Sequence, residues 1–161
     1  MLLETPIADC MTTDLVTLNT EDTVDLAAKI FKDYRLHHIP VTDEAGQLKG
    51  IISKSDFLSI SYGASLFQKH NTQDYNQAMY RSLLTKDIMT KDVISLSPAD
   101  TIKSALDIFI QNKFRAIPIE NKGKLVGIVC PINLIQIAYG YPDSPKNAIP
   151  KKIFDHGRTT G

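Results

Sequence analysis

The sequence predicts an α/β (α+β) fold: two tandem β-α-β-β-α units packed sheet to sheet with pseudo-two-fold symmetry. Three observations predict it. The first is an internal repeat. Met11-Thr12 recurs as Met89-Thr90, 78 residues on, and at that spacing Asp22-Thr23 meets Asp100-Thr101, Ile30-Phe31 meets Ile108-Phe109 and Ile39-Pro40 meets Ile117-Pro118. One residue is lost in a turn, after which Gly46, Leu48, Gly50 and Ile51 meet Gly123, Leu125, Gly127 and Ile128. The second is the order strand, helix, strand, strand, helix in each copy. The third is that neither copy has layers enough to cover both faces of its small sheet, whereas two packed together do, with a cleft between them. The copies span about 7–62 and 85–140, with a helical linker at 63–84 and an irregular tail at 141–161.

Within the first copy, Leu15 to Leu18 reads as a short strand and Asn19 to Asp22 as turn and cap. From Thr23 a helix is signalled by Val24, Ala27, Ala28 and Phe31 on one face, and it should end near Arg35. Pro40 cannot donate a ladder hydrogen bond, so the next strand starts there or tolerates it at an edge or irregularity. Asp43 to Gly46 forms a hairpin turn. Leu48 to Ile52 is the third strand, and the second helix begins at Lys54. The second copy repeats this: Val93 to Leu96, a helix with Ile102, Ala105, Leu106 and Phe109 on one face, Ile117 to Ile119, a turn at Asn121-Lys122-Gly123, Leu125 to Val129, and a helix to about Tyr139. In the linker, Tyr62, Leu66 and Phe67 extend the second helix, and Tyr75, Ala78, Met79 and Leu83 share a further helical face that completes the core or a dimer contact.

Composition narrows the function. Lys+Arg and Asp+Glu are both 18. This balance argues against nucleic acid as partner and leaves little repulsion between copies of the chain, so a homodimer is expected. Two cysteines, Cys10 and Cys130, form neither a disulfide framework nor a metal spacing, which fits a reducing cytoplasm. The first residues lack the pattern of a signal peptide, and no apolar run approaches the ~18 residues of a membrane span.

The stretch with chemistry is Gly50-Ile51-Ile52-Ser53-Lys54-Ser55-Asp56. A strand end hands over to a helix start here, gathering free backbone N–H groups, a hydroxyl and a carboxylate at one point. Free N–H groups attract anions such as phosphate, and an acceptor-only carboxylate suits two vicinal ribose hydroxyls. The plainer alternative is that Ser53 only caps the helix and Asp56 only favours its positive end. The equivalent heptad, Gly127-Ile128-Val129-Cys130-Pro131-Ile132-Asn133, has lost the hydroxyl and the charge. His37-His38 is not expected to chelate a metal, because neighbours in a strand face opposite ways. The cysteines are expected to pack. No nucleophile–base pair and no Gly-rich phosphate loop is evident, so no catalytic residue is assigned.

Met-Thr before the first strand, Asp-Thr at the first helix, Ile-Pro-Val/Ile, and Gly-hydrophobic-hydrophobic-Ser-x-x-Asp, taken together, resemble a tandem pair of CBS (cystathionine β-synthase) domains, a Bateman module. The resemblance covers about residues 7–140. It implies a regulatory module, usually dimerised, that binds an adenosine-type ligand (AMP, ADP, ATP or S-adenosylmethionine) between the repeats and signals occupancy to a partner protein. By the resemblance, Asp56 holds the ribose and Ser53 lies by the phosphate. Ile51, Val93 and Ile94 enclose the base, Arg115 lies toward the phosphates, and Pro118 belongs to the same nucleotide site. Val16, His38, Pro40 and Asn133 form a possible second site, doubtful because Asn133 brings no charge. The rivals are a ligand-independent dimerisation scaffold and, more remotely, a nucleotide hydrolase.

Overall fold

The computed structural model describes residues 1–66, 72–111 and 113–141. The first half contains β1 (Leu18–Asn19), α1 (Val24–Asp33), β2 (His38–Thr42), β3 (Leu48–Ser53) and α2 (Lys54–Leu66). Two linking helices follow, α3 (Thr72–Ser82) and the single turn α4 (Thr85–Ile88). The second half contains α5 (Ile102–Ile110), β4 (Ile117–Asn121), β5 (Lys124–Val129) and α6 (Pro131–Ala138). In the first half β1 runs parallel to β2 and β2 antiparallel to β3. In the second, β4 and β5 form the antiparallel pair, and a single parallel bridge from Leu96 to Ile119 stands for the first strand. The fold is the expected α+β tandem of two small sheets.

Side-chain periodicity accounts for the helices. Val24, Ala27, Ile30 and Phe31 of α1 are buried against Leu18, Ile39, Val41 and Ile52, as the i, i+3, i+4 spacing requires. In the second half Ile102 and Ala105 are buried with Ile117, Ile119 and Val129, and Leu106 and Phe109 pack alongside. The first hairpin is set by Asp43, whose Oδ1 accepts the N–H groups of Ala45 and Gln47 at 3.0 and 2.9 Å. Gly46 there takes φ 79°, a conformation open to glycine.

The first strands are much shorter than the sequence suggests. Expected over Leu15–Leu18 and Val93–Leu96, they reduce to Leu18–Asn19 and to one bridge at Leu96. Proline is the cause. The N–H of Leu96 donates to the Pro118 carbonyl at 3.1 Å, and the N–H of Glu120 to the Leu96 carbonyl at 2.8 Å. Pro118 thus turns its amide side toward the first strand, and the next donor down that ladder would be a nitrogen with no hydrogen. Pro40 holds the same place in the first half. It lies inside β2, with the register shift falling just beyond it between Val41 and Thr42.

The linker also differs in detail. Tyr80 and Leu83 pack on the first core, while Ala78 is exposed. The Tyr80 ring lies 5.1 Å from that of Phe57, and its hydroxyl hydrogen-bonds Ser61. The side chain of Tyr75, Phe67 and the tail after Tyr141 lie outside the described residues.

The two halves exchange their lead-in segments. Ile51 and Thr90 trade both backbone hydrogen bonds, at 3.0 and 2.9 Å, so the Met89-Thr90 segment adds an edge to the first sheet. Thr12 and Ile128 do the same at 2.8 and 3.0 Å, so Met11-Thr12 edges the second sheet. Helix starts are supplied across the halves too. The first amide of α1, at Val24, donates to the Leu83 carbonyl, and that of α5, at Ile102, to the Thr5 carbonyl, both at 2.9 Å. These are amides that no helix can satisfy by itself.

The exchange explains the repeated glycines. A Cβ on Gly50 would lie 2.7 Å from the Thr90 carbonyl oxygen and 2.6 Å from the Met89 sulfur. On Gly127 it would lie 2.5 Å from the Met11 sulfur but 3.2 Å from the Thr12 carbonyl oxygen. A thioether can swing aside; a paired backbone carbonyl cannot do so cheaply. Gly50→Ala is therefore expected to lower stability by about 1–3 kcal/mol, the usual cost of overpacking, and Gly127→Ala by less. Urea unfolding of the two variants measures the difference. Equal losses would mean that the carbonyl contact does not set the cost.

Candidate functional site

Two equivalent corners are formed where a strand end meets a helix start, and the same positions are used differently in each. At the first corner Ser53 ends β3. Its Oγ accepts the Asp56 N–H at 3.1 Å and donates to Asp56 Oδ2 at 2.5 Å. The capping geometry is thus present, and the Asp56 carboxylate is exposed, with no hydrogen bond to Oδ1 among the described residues. Ile51 is held in the edge pairing with Thr90. Val93 is half-buried, Ile94 exposed, and Pro118 buried in β4.

At the second corner Asn133 replaces the aspartate and is only 6 % exposed. Its Oδ1 accepts the Cys130 N–H at 2.8 Å and its Nδ2 donates to Thr12 Oγ1 at 3.2 Å. The amide thus caps α6 and ties down the exchanged Met11-Thr12 segment. A carboxylate could accept the first bond but could not donate the second.

A cleft of about 1680 Å³ opens at this second corner, where residues 8–16 face Arg35–His38 and the start of α6. It is lined by Val16, His38, Pro40 and Asn133, which the sequence places in the possible second site, and by Arg115 from the first set. Ile51, Ser53, Asp56, Val93, Ile94 and Pro118 are not in its wall. The cleft therefore takes in the residues that the sequence ranks second, together with Lys54 and Ser55 from the first corner. Asp56 is nonetheless close enough for its charge to act on His38, and Ser53 is the cross-strand partner of His38 in the β2–β3 register.

Sequence reasoning misses three basic members of the wall: Arg35, His37 and Lys54. Arg35 carries a signal that comparison of the copies could find, because its repeat mate is Lys113, also basic. His37 is missed because alternation along a strand would aim it away from His38. In the structure β2 begins only at His38, so the pleat does not yet govern its neighbour and both histidines line the cleft. Burial, chiefly, and then His37 and Arg115 push the His38 imidazole below its ordinary pKa, with Asp56 opposing. Burial raises the Cys130 thiol to about 11, and burial aided by Asp9 raises Cys10. Both cysteines are free. Among the described residues there is no group of three or more metal-ligating side chains, and no helix is long and apolar enough to cross a membrane.

The family model for the CBS domain matches residues 7–63 and 86–139. The chain belongs to the CBS-domain family. Protein YlbB of Bacillus subtilis is 32% identical over 126 residues, which cover 78% of this chain and 76% of that protein. Some curated relatives are much longer. The match covers 6% of Chloride channel protein D from Dictyostelium discoideum and 23% of a homoserine O-acetyltransferase from Methanococcoides burtonii. Among solved structures, the CBS domain of a CBS domain-containing membrane protein from Sphaerobacter thermophilus superposes with TM-score 0.68 at 30% identity, covering 84% of this chain and 88% of that one. CBSX2 in complex with AMP superposes with TM-score 0.69 at 23% identity, covering 84% and 96%. The CBS domain pair of protein MJ0100, in complex with 5-methylthioadenosine and S-adenosyl-L-methionine, does so with TM-score 0.65 at 21% identity, covering 86% and 98%.

The two corners predict unequal mutational costs. Asn133→Ala strands the half-buried Cys130 amide and releases Thr12, so a stability loss of about 1–3 kcal/mol is expected. Asp56→Ala removes an exposed cap and should cost about 0.3–1 kcal/mol. Parallel thermal and urea unfolding tests the ordering, and a larger loss at Asp56 would contradict it.

Proposed function

We propose that this chain is a regulatory module that binds an adenosine-type nucleotide between its two CBS units and passes the occupancy to a partner protein. The observation that carries the reading is an exposed carboxylate at a helix start, near enough to act on His38, beside an open cleft with Arg35, Lys54 and Arg115 in its wall. Asp56 would accept the ribose hydroxyls, with Ser53 at the phosphate, Ile51, Val93, Ile94 and Pro118 about the base, and Arg115 neutralising phosphate charge. The adenosine compounds bound by proteins of the same fold support the ligand class. Val16, His38, Pro40 and Asn133 would contribute to a second, weaker site, since the amide of Asn133 is already committed. In this reading the protein acts in the cytoplasm by binding and does no chemistry on the nucleotide. A ligand regulates only by preferring one arrangement of the units over another, and exchanged edges give those units a shared boundary on which to act.

A scaffold reading is favoured by one feature, the closed hydrogen bond between Ser53 and Asp56, which a cap alone would explain. Titration calorimetry with AMP, ADP, ATP and S-adenosylmethionine, on the wild type and on Asp56→Ala, separates the two. Loss of charge-assisted hydrogen bonds worth roughly 1.5–3 kcal/mol predicts a ten- to hundredfold weaker affinity in a folded variant, with close to one strong site per wild-type chain. Unchanged affinity would remove Asp56 from the site. No binding of any adenosine ligand by the wild type would leave the scaffold.

Self-association belongs to either reading. Leu58 and Tyr62 on α2, with Ile132 and Ile135 on α6, are exposed apolar side chains on the outer helices. Sedimentation at micromolar concentration is expected to give about twice the 17.9 kDa chain mass. A concentration-independent monomer would refute the homodimer.

A further inference from the structure

The cleft at the second corner has a charge balance that a phosphate-bearing ligand must alter. Its fixed cations are Arg35, Lys54 and Arg115, and its carboxylates are Asp9 and Asp14. The fixed charges come close to cancelling. A ligand carrying several phosphates therefore meets little neutralisation from permanent charges, although Arg and Lys are present. The groups that can supply more are His37 and His38, both in the wall.

His38 is the better placed of the two. It is half-buried at the start of β2, where a neighbouring charge is less screened than at the surface, whereas His37 is exposed. The charged groups acting on it are His37 beside it, Asp56 from α2 and Arg115 from the loop before β4. Without a ligand, burial, His37 and Arg115 hold its imidazole toward the neutral form. An anion seated among His38, Arg115 and Lys54 reverses that balance, because it screens the cations and favours the protonated ring.

We propose that capture of a polyphosphate group in this cleft is coupled to uptake of a proton by His38, so that the module reads pH together with its ligand. The inference rests on the nucleotide-sensing reading for its physiological ligand, but the coupling itself needs only the phosphate chain. The sign follows from the protonation states. His38 is held toward the neutral form in the free protein and gains a proton in the complex. Affinity is therefore highest on the acid side and falls as pH rises.

The test uses the whole chain and four probes: ATP, AMP, adenosine and inorganic tripolyphosphate. Calorimetry of the wild type in two buffers of different ionisation enthalpy should show net proton uptake with ATP and with tripolyphosphate, and none with adenosine. Affinity for ATP should be about three- to tenfold higher at pH 6 than at pH 8. His38→Gln should abolish this excess, and His37→Gln should retain it. Comparison with the variant removes the contribution of the phosphate's own titration. Should His38→Gln fail to fold, the wild-type imidazole resonance, followed by NMR with and without tripolyphosphate, should titrate at higher pH when the anion is bound. Uptake with tripolyphosphate but no affinity for nucleotides would overturn the nucleotide reading and keep this one. Nucleotide binding without proton uptake would do the reverse, and no binding of either would overturn both.

Discussion

The exchange of lead-in segments is the constraint on which the rest of the structure depends. Met11-Thr12 closes the edge of the second sheet and Met89-Thr90 that of the first. Each segment fills space that a side chain at Gly127 or Gly50 would occupy. The residues just before each segment complete the opposite half: Ile7 is fully buried in the second core, and Ile88 and Met89 pack on the first. Thr85, also fully buried, donates its N–H and its hydroxyl to the Asp22 carbonyl at 2.7 and 2.9 Å. An unpaired sheet edge and an unsatisfied helix start are both costly, and one rearrangement relieves both in each half.

Much of this was legible in the sequence because the chain says it twice. The repeat identified the unit, and the helical spacing of Val24, Ala27 and Phe31 identified its buried face. What was not legible is that Met-Thr belongs to the other copy's sheet. Sequence order assigns a segment to its nearest neighbour, and only backbone pairing across the chain reveals the swap. The sequence overstates the first strands because Val93 and Ile94 have strong strand propensity. Propensity loses where the partner strand presents a proline nitrogen. At the site, the loss of charge from Asp56 to Asn133 was readable, but the use of Asn133 was not. Its second bond reaches Thr12, 121 residues away in sequence.

The two corners divide labour along that one substitution. The aspartate corner keeps an exposed charge that closes only on its own cap. The asparagine corner commits its polar atoms to holding a strand and opens a cleft whose charge comes from elsewhere, the stretch Arg35–His38, Lys54 and Arg115. Pro40 contributes indirectly. By ending the parallel ladder at Leu18 it leaves residues 13–16 out of the sheet, and those residues form part of the cleft wall. A backbone position that cannot donate thus makes room for the cleft.

The exchanged edges also bear on how such a chain could arise. A single unit standing alone would expose one unpaired sheet edge and one helix amide lacking its acceptor. Its own lead-in has the shape to supply both, but only to another molecule. Half of this protein is therefore self-complementary, and two separate halves would rebuild the whole by trading segments. Joining them through the linker turns that bimolecular encounter into an intramolecular one at high effective concentration. Once joined, the two corners no longer need to be identical. In this chain one corner carries an aspartate that closes on its own cap, and the other an asparagine that works as a clasp.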